Sequence, residues 1–214
     1  MPVAGTQGNK YCQMAERRQT MYKKQMILQR IACFLLLAAA ALVFLYSLGI
    51  MTDVYEALFE VAEVSEGKRK YVEGAKMYLE MQPFNKDLTS AGIILIISAV
   101  AVFLFGAHSR RKYYIANYIT LGINAVANVG LSVWMITNVL KYRAQFLLVD
   151  FDKLRELAET YSGIKPTDST FWFDIGWLVF AVVIVATVIS IANLIFKVVV
   201  MNAERKLIEE GKEA

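Results

Sequence analysis

Four long stretches without a charged residue constrain this chain more than any other feature. They cover residues 31–52, 88–109, 113–140 and 175–196, and each contains at least 22 residues. A helix needs about 20 mainly apolar residues to cross the hydrocarbon core of a bilayer. Hydrophobic residues make up 57% of the 214-residue chain, which excludes a soluble enzyme, a disordered chain and a disulfide scaffold. The pattern predicts a membrane protein with four spans.

The spans are expected to be helices. Hydrocarbon offers no partner to free backbone N–H and C=O groups, so only helices and closed barrels cross it. Barrel strands alternate in polarity, whereas residues 93–97 are all Ile or Leu. The sequence therefore predicts an all-α, polytopic membrane protein with four transmembrane helices and a small external helical cap. Its segments are a basic N-terminal segment 1–26, a transmembrane domain 27–198 with spans near 27–50, 90–108, 114–139 and 174–198, and a tail 199–214.

The distribution of Lys and Arg predicts the orientation. Residues 1–30, 108–112 and 197–214 carry 13 basic and 5 acidic side chains, a net charge of +8, whereas 51–89 and 140–174 carry a net charge of −4. Cytoplasmic segments are the ones enriched in Lys and Arg. Both termini are therefore expected in the cytoplasm and both long loops outside.

The external loops lack two features that are common in proteins exposed outside animal cells. They contain neither cysteine nor an Asn-x-Ser/Thr sequon, which favours the plasma membrane of a bacterium, its inner membrane. The basic N-terminal residues are expected to attract anionic lipid. They are not expected to bind nucleic acid, because so short a segment supplies no folded basic surface.

The two external loops, 51–89 and 140–173, have apolar residues at helical spacing. In the first loop Thr52 is a candidate N-cap, and Pro83 is expected to end the second helical stretch. In the second loop the apolar residues are Phe151, Leu154, Leu157, Ala158 and Tyr161. We expect the loops to pack together as a cap, which either buries its own apolar faces or docks a protein partner.

A polar stripe in the third span is the most informative candidate site. It continues in the fourth span at matching depths, which pairs Asn124 with Ser190, Thr120 with Asn193 and Asn128 with Thr187. The full candidate set is Asn117, Thr120, Asn124, Asn128, Ser132, Thr187, Ser190 and Asn193. One interpretation is a seam of interhelical hydrogen bonds. The other is the wall of a polar cavity or an oligomeric pore.

Catalytic chemistry has little support in the sequence. His108 is the single histidine, no recognisable nucleophile, metal or cofactor motif occurs, and no charged residue lies in the core of a span. We expect no enzyme activity, no metal and no cofactor. The sequence favours a non-enzymatic accessory or scaffold subunit of a membrane complex. The alternative is an oligomeric channel or transporter for polar solutes, lined by the Asn stripe.

Overall fold

Five α-helices account for most of the chain in a computed structural model, which describes residues 4–56, 58, 72, 74–107, 114–161 and 166–210. Helix α1, Ala4–Gly49, continues through a π-helical segment, Ile50–Glu56. The others are α2 (Met77–Ala107), α3 (Tyr114–Phe146), α4 (Phe151–Tyr161) and α5 (Phe171–Glu210). These described ranges contain no strand, so the predicted all-helical fold is confirmed for them.

Helices α1, α2, α3 and α5 are each long and apolar enough to cross a membrane, as the uncharged stretches predicted. The helices are longer than the predicted spans. Helix α1 begins at Ala4 rather than near residue 27, and α5 continues to Glu210. The added residues include many Lys, Arg, Glu, Gln and Met. Such side chains lose little rotamer freedom in a helix, so helical structure extends beyond the apolar core.

The four long helices form an antiparallel bundle. Each contacts two neighbours, in the order α1, α2, α3, α5 and back to α1. Thr89 of α2 donates a hydrogen bond to Ser47 Oγ of α1 at 3.1 Å. Arg143, near the end of α3, lies 3.4 Å from Asp174, near the start of α5. The fourth span therefore has two partners, the third span and the first.

The outer face of the bundle is apolar. Phe34 of α1, Val126 of α3 and Leu178 of α5 are 73%, 74% and 67% exposed. Many other Ile, Leu, Val and Phe side chains on the long helices are exposed as well. So large an apolar surface is unusual for a monomer in water and marks a surface that contacts membrane or protein.

The described parts of the two long loops lie against each other at one end of the bundle. Gly74 adopts a positive φ of 76°. A Cβ at that position would lie 3.0 Å from the Leu148 carbonyl oxygen and from Val149 Cα. Leu58 and Leu154 are buried in the same apolar core. We call this end, with α4 on it, the cap end.

Asp150 caps the N-terminus of helix α4. The Asp150 carboxylate accepts a hydrogen bond from the Lys153 backbone N–H at 3.1 Å, as an N-cap does. The Lys153 ammonium lies 2.7 Å from the same carboxylate. Hydrogen bonding to the Lys153 side chain, and then to its backbone, lowers the pKa of Asp150.

The prediction that Pro83 ends a helix is wrong. Pro83 lies inside α2, which starts at Met77. Proline removes one N–H donor and crowds the carbonyl four residues earlier. Here that carbonyl belongs to Leu79, and both residues are exposed, so the orphaned carbonyl can reach solvent. The earlier part of this loop, residues 59–71, lies outside the described residues.

Candidate functional site

The predicted polar stripe faces the interior of the bundle. Every predicted residue except Thr120 is at most 6% exposed, and Thr120 is half-buried. The buried members are Asn117, Asn124, Asn128, Ser132, Thr187, Ser190 and Asn193. The polar residues of α3 and α5 thus share one core, which both the seam and the path interpretations require.

Helix α3 uses its stripe to bind α2. Asn128 donates a hydrogen bond to Asn124 Oδ1 at 3.0 Å, and Asn124 donates to Ser98 Oγ of α2 at 2.7 Å. Ser132 Oγ donates to the Asn128 carbonyl at 2.7 Å. Ser98 was not among the predicted residues. A short relay of amides therefore runs along α3 and crosses to its neighbour.

The predicted pairs between the third and fourth spans do not form as hydrogen bonds. Thr187 donates to its own helix at the Val183 carbonyl, 2.7 Å away, and Ser190 Oγ is buried without a hydrogen-bond partner. Hydroxyls on helices often bond to the carbonyl four residues earlier, which removes them from interhelical pairing. Lys197 Nζ of α5 lies 5.5 Å from the Tyr118 ring centre of α3, so the two helices are adjacent at this depth.

Asn193 instead joins α5 to α1. Its Nδ2 donates to Gln29 Oε1 at 2.8 Å, and its Oδ1 accepts from Gln25 Nε2 at 3.3 Å. Gln25 Nε2 also lies 3.5 Å from Gln29 Oε1. These three side chains are at most 3% exposed. We call Gln25, Gln29 and Asn193 the amide triad.

Sequence reasoning missed the two glutamines of the amide triad. Gln25 precedes the predicted start of the first span, and Gln29 lies between that start and the uncharged stretch 31–52. The available signal was their spacing, because Gln25, Gln29 and Cys33 recur every four residues and thus share a helix face. Gln29 Nε2 lies 3.6 Å from Cys33 Sγ.

Lys197 is the one charged side chain buried among the residues that the structure describes. It is 5% exposed, although the charge count placed it in the cytoplasmic segment 197–214, just after the fourth uncharged stretch. Its ammonium lies over the Tyr118 ring, an arrangement that stabilises a desolvated cation. The amide triad and Lys197 together make the interior polar in the half of the bundle that lies opposite the cap end.

Toward the cap end most of the buried side chains are apolar, although Ser47 and Asn85 are buried there as well. Beyond Ser132, four apolar side chains are fully buried at similar depth: Ile50 in the π-helical segment after α1, Leu88 on α2, Met135 on α3 and Phe173 on α5. All four belong to one continuous core. The four apolar side chains therefore separate most of the polar stripe from the cap end.

The relay from Asn128 to Ser98 gives a testable stability effect. We expect Asn124→Leu to lower the free energy of unfolding in detergent by about 1 kcal/mol, the scale of hydrogen bonds between membrane helices. Thr137→Val is the matched control, because Thr137 is exposed on the same helix and bonds only to its own backbone. Denaturant titration measures both variants. Unchanged stability with a reduced solute flux would instead support the path interpretation.

Neither a metal site nor a similarity to a known protein indicates the function of this bundle. Among the described residues, no three His, Cys, Asp or Glu side chains lie close enough to hold a metal ion. Comparison with protein-family models, with curated proteins and with solved structures gives no match. The function is therefore argued from the bundle alone.

Proposed function

We propose that this chain is an integral membrane protein that acts as a non-enzymatic accessory or scaffold subunit of a membrane complex. The observation that carries this proposal is the enclosure of the polar stripe. A pore between protomers would need Asn124 and Asn128 on the outer face, but both are at most 3% exposed inside one bundle. Their hydrogen bonds serve helix packing, which suits a rigid structural unit.

The orientation belongs to the same proposal. The net charge of +8 on the side of the termini supports a topology with both termini in the cytoplasm and the cap end outside. The cysteine-free and sequon-free loops support a bacterial inner membrane. Anionic lipid at the cytosolic face and a protein partner, which could be a second copy of the chain, complete the proposed surroundings.

Single cysteines at Ser109 and Ser162 test this topology in a background with Cys12→Ser and Cys33→Ala. In intact cells, an impermeant thiol reagent should label the Ser162→Cys variant and spare Ser109→Cys until the cells are lysed. The two positions lie in segments on opposite sides of the proposed membrane. Labelling of Ser109→Cys in intact cells would reverse or refute the proposed orientation.

An oligomeric channel or transporter for polar solutes is the second candidate. Its support is a set of buried polar atoms without hydrogen-bond partners, Ser190 Oγ and Asn117 Oδ1 among them. Such atoms can bind water or a polar solute inside the bundle. The apolar layer near Met135 and Phe173 counts against a continuous path.

Two measurements separate these candidates. Purified protein in liposomes should give no glycerol or urea flux above protein-free liposomes if it is an accessory subunit.

The exposed pair Leu147 and Leu148, at 59% and 71% exposure on the cap end, offers a contact for a partner. Replacing both with Ser should release a stoichiometric partner, whereas Glu159→Ser, an exposed change on α4, should retain it. Glycerol or urea flux through the liposomes, together with no co-purifying partner protein, would support the channel.

A further inference from the structure

A long apolar groove lies on the outside of the bundle between α1 and α2. Its volume is about 830 Å³, within the range of about 300–1,000 Å³ typical of ligand sites. The lining on α1 runs from Met26 to Leu37, which spans roughly 16 Å of helix at 1.5 Å per residue. Ala99, Val100 and Phe103 line it from α2. The groove is therefore long, narrow and almost wholly apolar.

Small side chains create the groove and large ones border it. Cys33 and Ala99 are 4% and 2% exposed and lie at its base, whereas Phe34 and Phe103 are 73% and 54% exposed. An elongated hydrocarbon chain fits such a slot, because it can bury apolar surface along its whole length.

One end of the groove is positively charged. Arg30 is exposed and lines the groove beside Gln29, whose amide oxygen already accepts a hydrogen bond from Asn193. Lys23 and Lys24 are exposed two turns earlier on the same helix. Guanidinium groups bind phosphate oxygens in a bidentate manner. The groove thus combines an apolar slot with a phosphate-binding group at its end.

We propose that this groove is a binding site for one anionic phospholipid, with an acyl chain along α1 and α2 and the headgroup phosphate at Arg30. Charge complementarity selects this occupant over an apolar helix of a partner protein. A helix covering the groove would desolvate the Arg30 guanidinium without compensating it, which is costly. The site rests on the membrane insertion proposed above and adds a defined ligand to it.

Native mass spectrometry of the detergent-purified full chain tests the site. After delipidation, the protein is titrated with phosphatidylglycerol or with phosphatidylcholine of the same acyl chains. We expect one equivalent of phosphatidylglycerol to be retained preferentially. Arg30→Gln should reduce that preference about fivefold, which corresponds to about 1 kcal/mol for one basic group near the headgroups. Arg205→Gln, an exposed change on α5, should leave the preference unchanged.

A second pair of variants tests the slot itself. Val100→Trp should fill the groove and abolish retention of the lipid, because Val100 is 42% exposed within it. Val126→Trp is the matched control on α3, where Val126 is 74% exposed and outside the groove. Equal retention of both lipids, or full retention by Val100→Trp, would overturn the site. Dissociation of a dimer by Val100→Trp would also overturn the site, because a second copy of the chain would then occupy the groove. A chain that stays soluble without detergent would overturn membrane insertion itself.

Discussion

Asn193→Leu is expected to lower the free energy of unfolding in detergent by about 2–3 kcal/mol. The substitution removes both hydrogen bonds that Asn193 makes to α1. It also leaves the amides of Gln25 and Gln29 in a buried environment with one weak contact between them, at 3.5 Å. A buried polar group left without a partner costs about 1–3 kcal/mol. The loss should exceed that of Asn124→Leu, because Gln25 and Gln29 are both buried, whereas Ser98, one of the two partners of Asn124, is only partly buried.

Two further variants make this prediction specific. Asn202→Leu changes the same residue type at an exposed position of α5 and should leave the stability within about 0.5 kcal/mol of the parent. The triple variant Gln25→Leu, Gln29→Leu and Asn193→Leu should recover most of the loss, because replacing all partners by apolar groups leaves none unsatisfied. If the triple variant were less stable than Asn193→Leu, the amide triad would not be the cause.

The helices were predictable because length and charge alone determine them. A run such as 113–140 without a charge has one stable structure in hydrocarbon, and α3 covers the described part of that run, 114–140. The buried face of α3 was predictable as well, because Asn124 and Asn128 repeat at helical spacing and polar groups avoid an apolar outer face.

The hydrogen-bond partners were not predictable from the same pattern. Matching Asn193 to Thr120 assumed that the fourth span pairs only with the third, its neighbour in sequence. The bundle closes into a ring, so α5 also packs on α1, and the longer side chain of Gln29 reaches Asn193. Ser98 likewise bonds Asn124 because α2 packs on α3. Closure of the ring is a tertiary property that no single helix encodes.

The close approach of α1 and α2 depends on Gly92. A Cβ at this position would lie 2.9 Å from Phe44 Cα and 3.1 Å from Phe44 N. Because these are backbone atoms, a side-chain rotation cannot relieve the contact, and the helices would have to separate. We expect Gly92→Ala to lower the free energy of unfolding in detergent by about 1–3 kcal/mol, the cost of overpacking a core.

Gly122→Ala provides the matched control for Gly92→Ala. Both glycines lie within long helices, but a Cβ at Gly122 would meet nothing within 4 Å. Alanine is favoured over glycine in a helix by up to about 1 kcal/mol, so Gly122→Ala should be neutral or stabilising. The two variants share this propensity gain, and the difference in their unfolding free energies isolates the contact with Phe44. Equal stability of the two would show that α1 and α2 lie farther apart at this point than the bundle described here requires.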